Sequence, residues 1–161
     1  MTDFRALISL LVKSSVEFII VGGAAATAHG SARLTQDLDI VYRRTPKNVD
    51  RLVRALAPHD PYLRGAPAGL PFSWDDRTIW SGLNFTLITT LGALDLLGEI
   101  TGGGNYEELL PHAIRLRLYD VECFCLGLEH LIHVKRAAGR PKDLEAVAEL
   151  EAILEEQKRS D

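Results

Sequence analysis

The chain has 161 residues and a mass of 17.8 kDa, the size of one domain with a core of its own, since single domains run about 100–200 residues. Hydrophobic residues make up 47% and charged residues 25%, proportions that exclude a disordered or collagen-like chain. The formal net charge is −4, so no global basic balance argues for bulk duplex binding. The opening residues Met1-Thr2-Asp3-Phe4-Arg5 place an acid where a secretory signal wants bases. No apolar run reaches the ~18 residues of a membrane span. Cys123 and Cys125 stand one residue apart, poorly placed to bridge each other and without a second pair for a zinc site. These features predict a cytoplasmic protein with two buried thiols and no membrane partner.

In chain order, Phe4, Leu7, Ile8, Leu10 and Leu11 recur at helical spacing and predict an amphipathic helix over Asp3 to Ser14. Phe18-Ile19-Ile20-Val21 is a short β-rich apolar run closed by Gly22-Gly23, a buried strand. The alanine-rich Ala24 to His29 predicts a short helix ending at Gly30. Ser31 to Gln36 is polar loop, and Asp37-Leu38-Asp39-Ile40 alternates as a strand with one buried face does. Thr45-Pro46 starts a helix, with Thr as cap and Pro at the first position. Pro58, Pro61, Pro67 and Pro71, with Gly65 and Gly69, predict an irregular loop over 57–71. Asn84 to Leu97 reads as two strands broken at Gly92, Gly102 to Gly104 as a flexible turn, and Tyr106 to His112 as a short helix. Strands are expected at Arg115–Tyr119 and Val121–Cys125. Helices at Leu128 to Ala138 and Lys142 to about Gln157 flank Gly139-Arg140-Pro141. This order predicts a mixed sheet with helices packed on it.

The informative stretch runs from Gly22 to Asp39. A strand ending in two glycines lets backbone approach a ligand closely, and the helix that follows presents unpaired N–H groups to an anion. Asp37 and Asp39 are i and i+2 on a strand and point to one face. Two adjacent carboxylates repel each other and favour a divalent cation; hard oxygen ligands suit Mg²⁺, which binds one or two carboxylates plus phosphate oxygens.

With these residues in this order, the chain resembles the DNA polymerase β-like nucleotidyltransferase superfamily. Within it, the chain is most similar to the small bacterial nucleotidyltransferase-like proteins of the abortive-infection and toxin–antitoxin group. The resemblance rests on Gly22-Gly23, His29-Gly30, Arg33, Thr35 and Asp37-Leu38-Asp39. It extends to Asp95 within Ala93-Leu94-Asp95-Leu96-Leu97, to Lys135, and to Gly139-Arg140-Pro141-Lys142-Asp143, covering roughly residues 17–150. Where many members have Gly-Ser, this chain has Gly-Gly. The resemblance implies an α+β (mixed α/β) fold, a single nucleotidyltransferase-like domain over 1–161 with C-terminal helices at about 128–158. It implies transfer of a nucleoside monophosphate from an NTP to a hydroxyl, with two Mg²⁺ ions and release of pyrophosphate. Asp37, Asp39 and Asp95 would be catalytic and metal-ligating, and Gly22, Gly23, Arg33 and Lys135 would bind the nucleotide. The acceptor would be a protein, an RNA or a small molecule, and a toxin–antitoxin or defence setting implies a partner protein.

Each residue also has a plainer reading. Asp95 among leucines is either a structural ion pair or the third ligand or general base. Arg33 either steadies a phosphate or pairs with Asp37. Lys135 suits the last turn of any helix, and Asp143 reads as an ordinary helix-start acid. His130 and His133 fit a helix surface or core better than a metal site, His29 a structural position, and Trp74 and Trp80 packing better than base stacking. Arg43, Arg44, Lys47, Arg51 and Arg54 form a basic cluster that is either a solvated face or an RNA contact. The alternative to an enzyme is a non-catalytic or partner-dependent module acting in a protein complex.

Overall fold

The computed structural model describes residues 1–160; Asp161, the last residue of the expected domain, lies outside them. Helix α1 (Phe4–Lys13) starts where the Asp3 side chain accepts the Ala6 N–H, and its Leu7, Ile8 and Leu11 are buried. Strand β1 (Phe18–Val21) is buried along its whole length. It leads into α2 (Gly22–Ala28), β2 (Asp37–Tyr42) and α3 (Pro46–Leu56), the last capped by Thr45 with Pro46 leading, as expected. A 3₁₀ turn (Ala57–His59), β3 (Tyr62–Leu63) and α4 (Asp76–Ser81) follow. Strands β4 (Phe85–Thr89) and β5 (Gly92–Leu97) meet at the Gly92 break, and β6 (Glu99–Ile100) and β7 (Gly104–Asn105) form a small ribbon across the triglycine turn. Helix α5 (Tyr106–Leu109), closed by an Asn105–Glu108 capping box, precedes β8 (Ala113–Leu118), β9 (Val121–Leu126), α6 (Leu128–Ala138) and α7 (Pro141–Ser160).

Seven strands make one mixed sheet in the order β3-β4-β5-β2-β1-β9-β8, with β6 and β7 apart from it. β2 runs antiparallel to β1 and parallel to β5. The fold is thus mixed α/β with helices packed on a mixed sheet and two C-terminal helices, as expected. Leu38, Ile40, Leu87, Leu94 and Leu96 are wholly inaccessible to solvent in the core that the central strands share with Leu7, Leu11 and Leu52. Both cysteines are buried on β9. Among the described residues no helix is long and apolar enough to cross a membrane.

The structure corrects one expectation and adds one element. The 57–71 segment is not wholly irregular: Tyr62 and Leu63 pair with Ile88 and Leu87. Pro61 and Pro67 bracket this pair without occupying a ladder position, so the prolines confine β3 to two residues at the sheet edge. Residues 72–83, to which the apolar pattern assigns no element, contain α4. Asp75 caps that short helix by accepting the Thr78 N–H.

Candidate active site

The site is built on the alternation of β2 and β5. Leu38 and Ile40, like Leu94 and Leu96, turn into the core, so Asp37, Asp39 and Asp95 turn to the opposite face of the sheet. The parallel register sets Asp39 directly beside Asp95. One oxygen from each of the three carboxyl groups falls within 4.8 Å of the others. The leucines around Asp95 in the sequence therefore belong to the other face of its strand, and Asp95 joins the acidic pair.

Three carboxyl groups so close repel one another. Asp39 sits deepest. Burial first, then the charge of Asp95 and a hydrogen bond to it, then the charge of Asp37, push its pKa up to about 8, while Lys135 pulls the other way. Its Oδ1 is buried without a hydrogen-bond partner. A backbone at Gly22 closes this side: its φ is +63°, and a Cβ there would overlap the Asp39 carboxylate. At Gly23, a Cβ would lie 2.7 Å from Thr35 Oγ1. The Thr35 hydroxyl thus fills the space a serine at position 23 would need.

Two clefts meet at Gly22, Asp39, Lys135, Arg140 and Asp143. One, of about 500 Å³, is polar and the more basic of the two, four cations against three acids, with Gly23, Ser31, Arg33, Thr35, Asp37 and Lys142 on its walls. The other, of about 420 Å³, has apolar walls from Leu97, Ile100, Leu131, Val134 and Ala138, with Asn84, Glu99 and Thr101 as its polar groups. Both lie within the size range of small-ligand pockets.

The wall between them is the α6–α7 junction. Asp143 is 3% exposed. Its carboxylate accepts from the Arg140 backbone N–H at 3.2 Å, from Nε at 2.6 Å and from Nη2 at 3.2 Å, and Lys135 Nζ stands 4.0 Å away. Burial raises the Asp143 pKa, but the hydrogen bonds and charge of Arg140 and the charge of Lys135 outweigh it and hold the carboxyl below its usual range. Burial pulls the Lys135 ammonium down, against the charges of Asp143 and Asp39. Asp143 is therefore more than a helix-start acid: it anchors two cations that face both clefts.

Arg33 lines the basic cleft but pairs with Glu145 at 3.2 Å rather than with Asp37. The loop that carries it is fastened to α7, with Ser31 Oγ and the Ala32 N–H both donating to Glu149. His29 Nε2 lies 2.8 Å from the Leu126 carbonyl oxygen, a structural contact. His130 stacks between His112 and His133, away from the carboxyl group cluster. Trp74 is half-buried against the core and donates from its indole N–H to the Val53 carbonyl. In the basic cluster, Arg43 is held by Glu17 and Glu107, Arg54 by Asp50, and Arg44 lies over the Trp80 ring while donating to the Tyr42 hydroxyl. Two of its five charges, those of Arg43 and Arg54, thus already have an acidic partner.

One residue of the site carries no signal in the sequence pattern. Arg64, just beyond β3, donates from Nη2 to Asp95 Oδ1 at 2.6 Å, with Asp37 Oδ2 at 3.7 Å. Asp95 is thus ion-paired as well as grouped with the other two acids.

No protein-family model and no curated protein matches the sequence. Solved structures do. The lincomycin-bound crystal structure of the lincosamide antibiotic adenylyltransferase LnuA superposes with a TM-score of 0.62 at 15% identity, over 94% of this chain and 96% of that one. TM1012 from Thermotoga maritima, described as a "putative nucleotidyltransferase", gives a TM-score of 0.50 at 15% identity, over 97% of this chain and 96% of that one. At near-complete coverage of both, the chain shares the nucleotidyltransferase fold.

Proposed function

We propose that the chain is a metal-dependent nucleotidyltransferase that moves a nucleoside monophosphate from an NTP to a hydroxyl group of a small molecule. The observation that carries this reading is the orphaned, buried Asp39 Oδ1 inside a cluster of three carboxyl groups, beside a basic cleft bordered by Gly22 and Gly23. An unpaired buried oxygen among like charges is costly, and a divalent cation relieves both defects. The residues therefore fit Mg²⁺, with Asp37, Asp39 and Asp95 as its protein ligands. Bound there, magnesium neutralises phosphate charge and aligns the reacting oxygens, and sites of this chemistry take one or two ions.

The chain's own groups have separable tasks. The Gly22-Gly23 backbone allows close approach of the triphosphate, while Lys135, Arg33 and Lys142 supply positive charge along the basic cleft. Asp143 keeps Lys135 and Arg140 turned to the substrates. The apolar cleft takes the body of the acceptor, with Asn84, Glu99 and Thr101 as orienting polar groups. The acceptor oxygen attacks the α-phosphorus, its proton passes to the carboxylate oxygen of Asp95 not held by Arg64, the α–β phosphoanhydride bond breaks, and pyrophosphate leaves. The whole described chain forms this catalytic unit. Its buried thiols suit a reducing compartment such as the cytoplasm.

Supporting a small acceptor, a structural neighbour of almost equal extent is a lincosamide adenylyltransferase seen with lincomycin. Incubation with labelled NTPs, Mg²⁺ and a panel of hydroxylated small molecules should yield a nucleotidylated product and pyrophosphate. Labelling only of RNA or of a protein would redirect the acceptor. Absence of both turnover and metal-dependent NTP binding by the isolated chain would favour a module that acts only with a partner, as the toxin–antitoxin resemblance implies.

A further inference from the structure

Arg64 belongs to none of the tasks above. It is a cation placed among the very acids that the proposed function gives to a metal. It is also fixed in place from behind. Its backbone N–H donates to the Thr86 carbonyl at 2.9 Å and its Nη1 to the Leu87 carbonyl at 3.1 Å, so β4 holds the guanidinium independently of the acids. The other arm of the planar fork then reaches Asp95 at 2.6 Å and comes within 3.7 Å of Asp37. It makes no hydrogen bond or ion pair with Asp39, whose Oδ1 stays unpaired. The side chain is 29% exposed, so its charge is only partly screened by water.

We infer that Arg64 is a built-in counter-cation and positioning residue of the acidic cluster, which fixes one oxygen of Asp95 and lowers the affinity of the site for a divalent cation. The inference rests on the metal-site reading of Asp37, Asp39 and Asp95. With all three carboxyl groups ionised, as they would be around a bound cation, the cluster and the one guanidinium carry a net charge of −2, matched to a single divalent ion and weaker than the bare cluster. The consequence is a site that keeps its geometry without metal and releases the ion readily after turnover. An arginine that only braced the sheet edge would leave metal affinity alone or, on removal, weaken it through disorder.

Calorimetric titration of the full chain with Mn²⁺ alone, without nucleotide, tests this. Arg64→Met removes the charge and keeps much of the length, and it should bind Mn²⁺ about tenfold more tightly, the effect of deleting a like charge a few ångströms away in a partly solvated site. Arg64→Lys keeps the charge and should stay near wild-type affinity. In the transfer assay, Arg64→Met should need less Mg²⁺ for half-maximal rate yet show a lower kcat. Arg64→Gln, which retains a donor for the Leu87 carbonyl, should tighten Mn²⁺ in the same direction if Arg64→Met does not fold. A folded Arg64→Met or Arg64→Gln with wild-type or weaker Mn²⁺ affinity overturns the inference and leaves the metal site standing. A wild-type chain without Asp39-dependent Mn²⁺ binding overturns both.

Discussion

The strand floor and the helical wall of the site handle charge in opposite ways. On the floor, β2 and β5 hold three like-charged groups together, and neither strand can shift without breaking the ladder that sets Asp39 beside Asp95. The repulsion is therefore stored, partly offset by Arg64 and partly by protonation of Asp39. On the wall, a single buried carboxylate gathers two cations, and every oxygen of Asp143 has a donor. The floor leaves Asp39 Oδ1 without a partner; the wall is complete by itself. A substitution in the floor should change what the site binds, and one in the wall should change how firmly the chain and its nucleotide are held.

The largest effect is expected at the floor. Asp39→Asn should reduce nucleotidyl transfer by on the order of 10³-fold, as losing a principal electrostatic element of a transfer site does. It should also abolish calorimetric Mn²⁺ binding while leaving the circular dichroism spectrum unchanged. A variant that still binds Mn²⁺ as wild type does would place the metal elsewhere.

Next comes the wall. Asp143→Asn leaves Arg140 and Lys135 without their shared anion, and weakening the hydrogen bonds of this one buried carboxylate should cost about 1–3 kcal/mol in urea unfolding. With the two cations released, KM for the NTP should rise about tenfold with a smaller change in kcat. Asp143→Glu should recover part of the KM. An unchanged KM would confine Asp143 to stability.

The stored repulsion also has a pH signature in the metal-free protein. The pKa of Asp39 is about 8 in the folded chain against an ordinary 3.8, so the folded state binds this proton more tightly than the unfolded state. The stabilisation from the protonated carboxyl is complete below the ordinary value and is lost as pH rises towards 8. With EDTA present, Tm should fall between pH 5 and pH 8 relative to that of Asp39→Asn. Parallel curves for the two proteins would mean that Asp39 is ionised throughout.

The smallest effect is expected at the rim of the basic cleft. Arg33 is exposed and its partner Glu145 more so, so Arg33→Ala should change stability by no more than about 0.5 kcal/mol. It should raise KM for the NTP a few-fold. An unaltered KM would assign Arg33 to fastening its loop to α7.

The parts of the site that follow local chain geometry are legible in the amino-acid sequence itself. Asp37 and Asp39 share a face because they are two apart on a strand, and the alternation of Leu94 and Leu96 around Asp95 gives its orientation. Gly22 and Gly23 announce the close approach between α2 and the acids. What stays hidden depends on pairings between distant segments. Arg64 lies in a stretch of prolines and glycines and meets Asp95 only because two residues of β3 pair with β4. Arg33 finds Glu145 across 112 positions of sequence. Asp143 has the sequence profile of any acid in a first helical turn, and its burial comes from the packing of α7 on α6. Likewise α4 has too few residues to show a period, although its Asp75 cap is a visible signal.

In the proposed function, three acids from β2 and β5, next to a basic cleft bordered by Gly22 and Gly23, hold the metal and triphosphate of an NTP. A crystal structure of the full chain with Mn²⁺ and a non-hydrolysable NTP, using the anomalous signal of manganese, tests it most directly. The expected result is a manganese peak coordinated by Asp37 and Asp39, with the phosphate chain running past Gly22-Gly23 towards Lys135. A peak remote from all three acids, or a triphosphate bound outside the basic cleft, would contradict it.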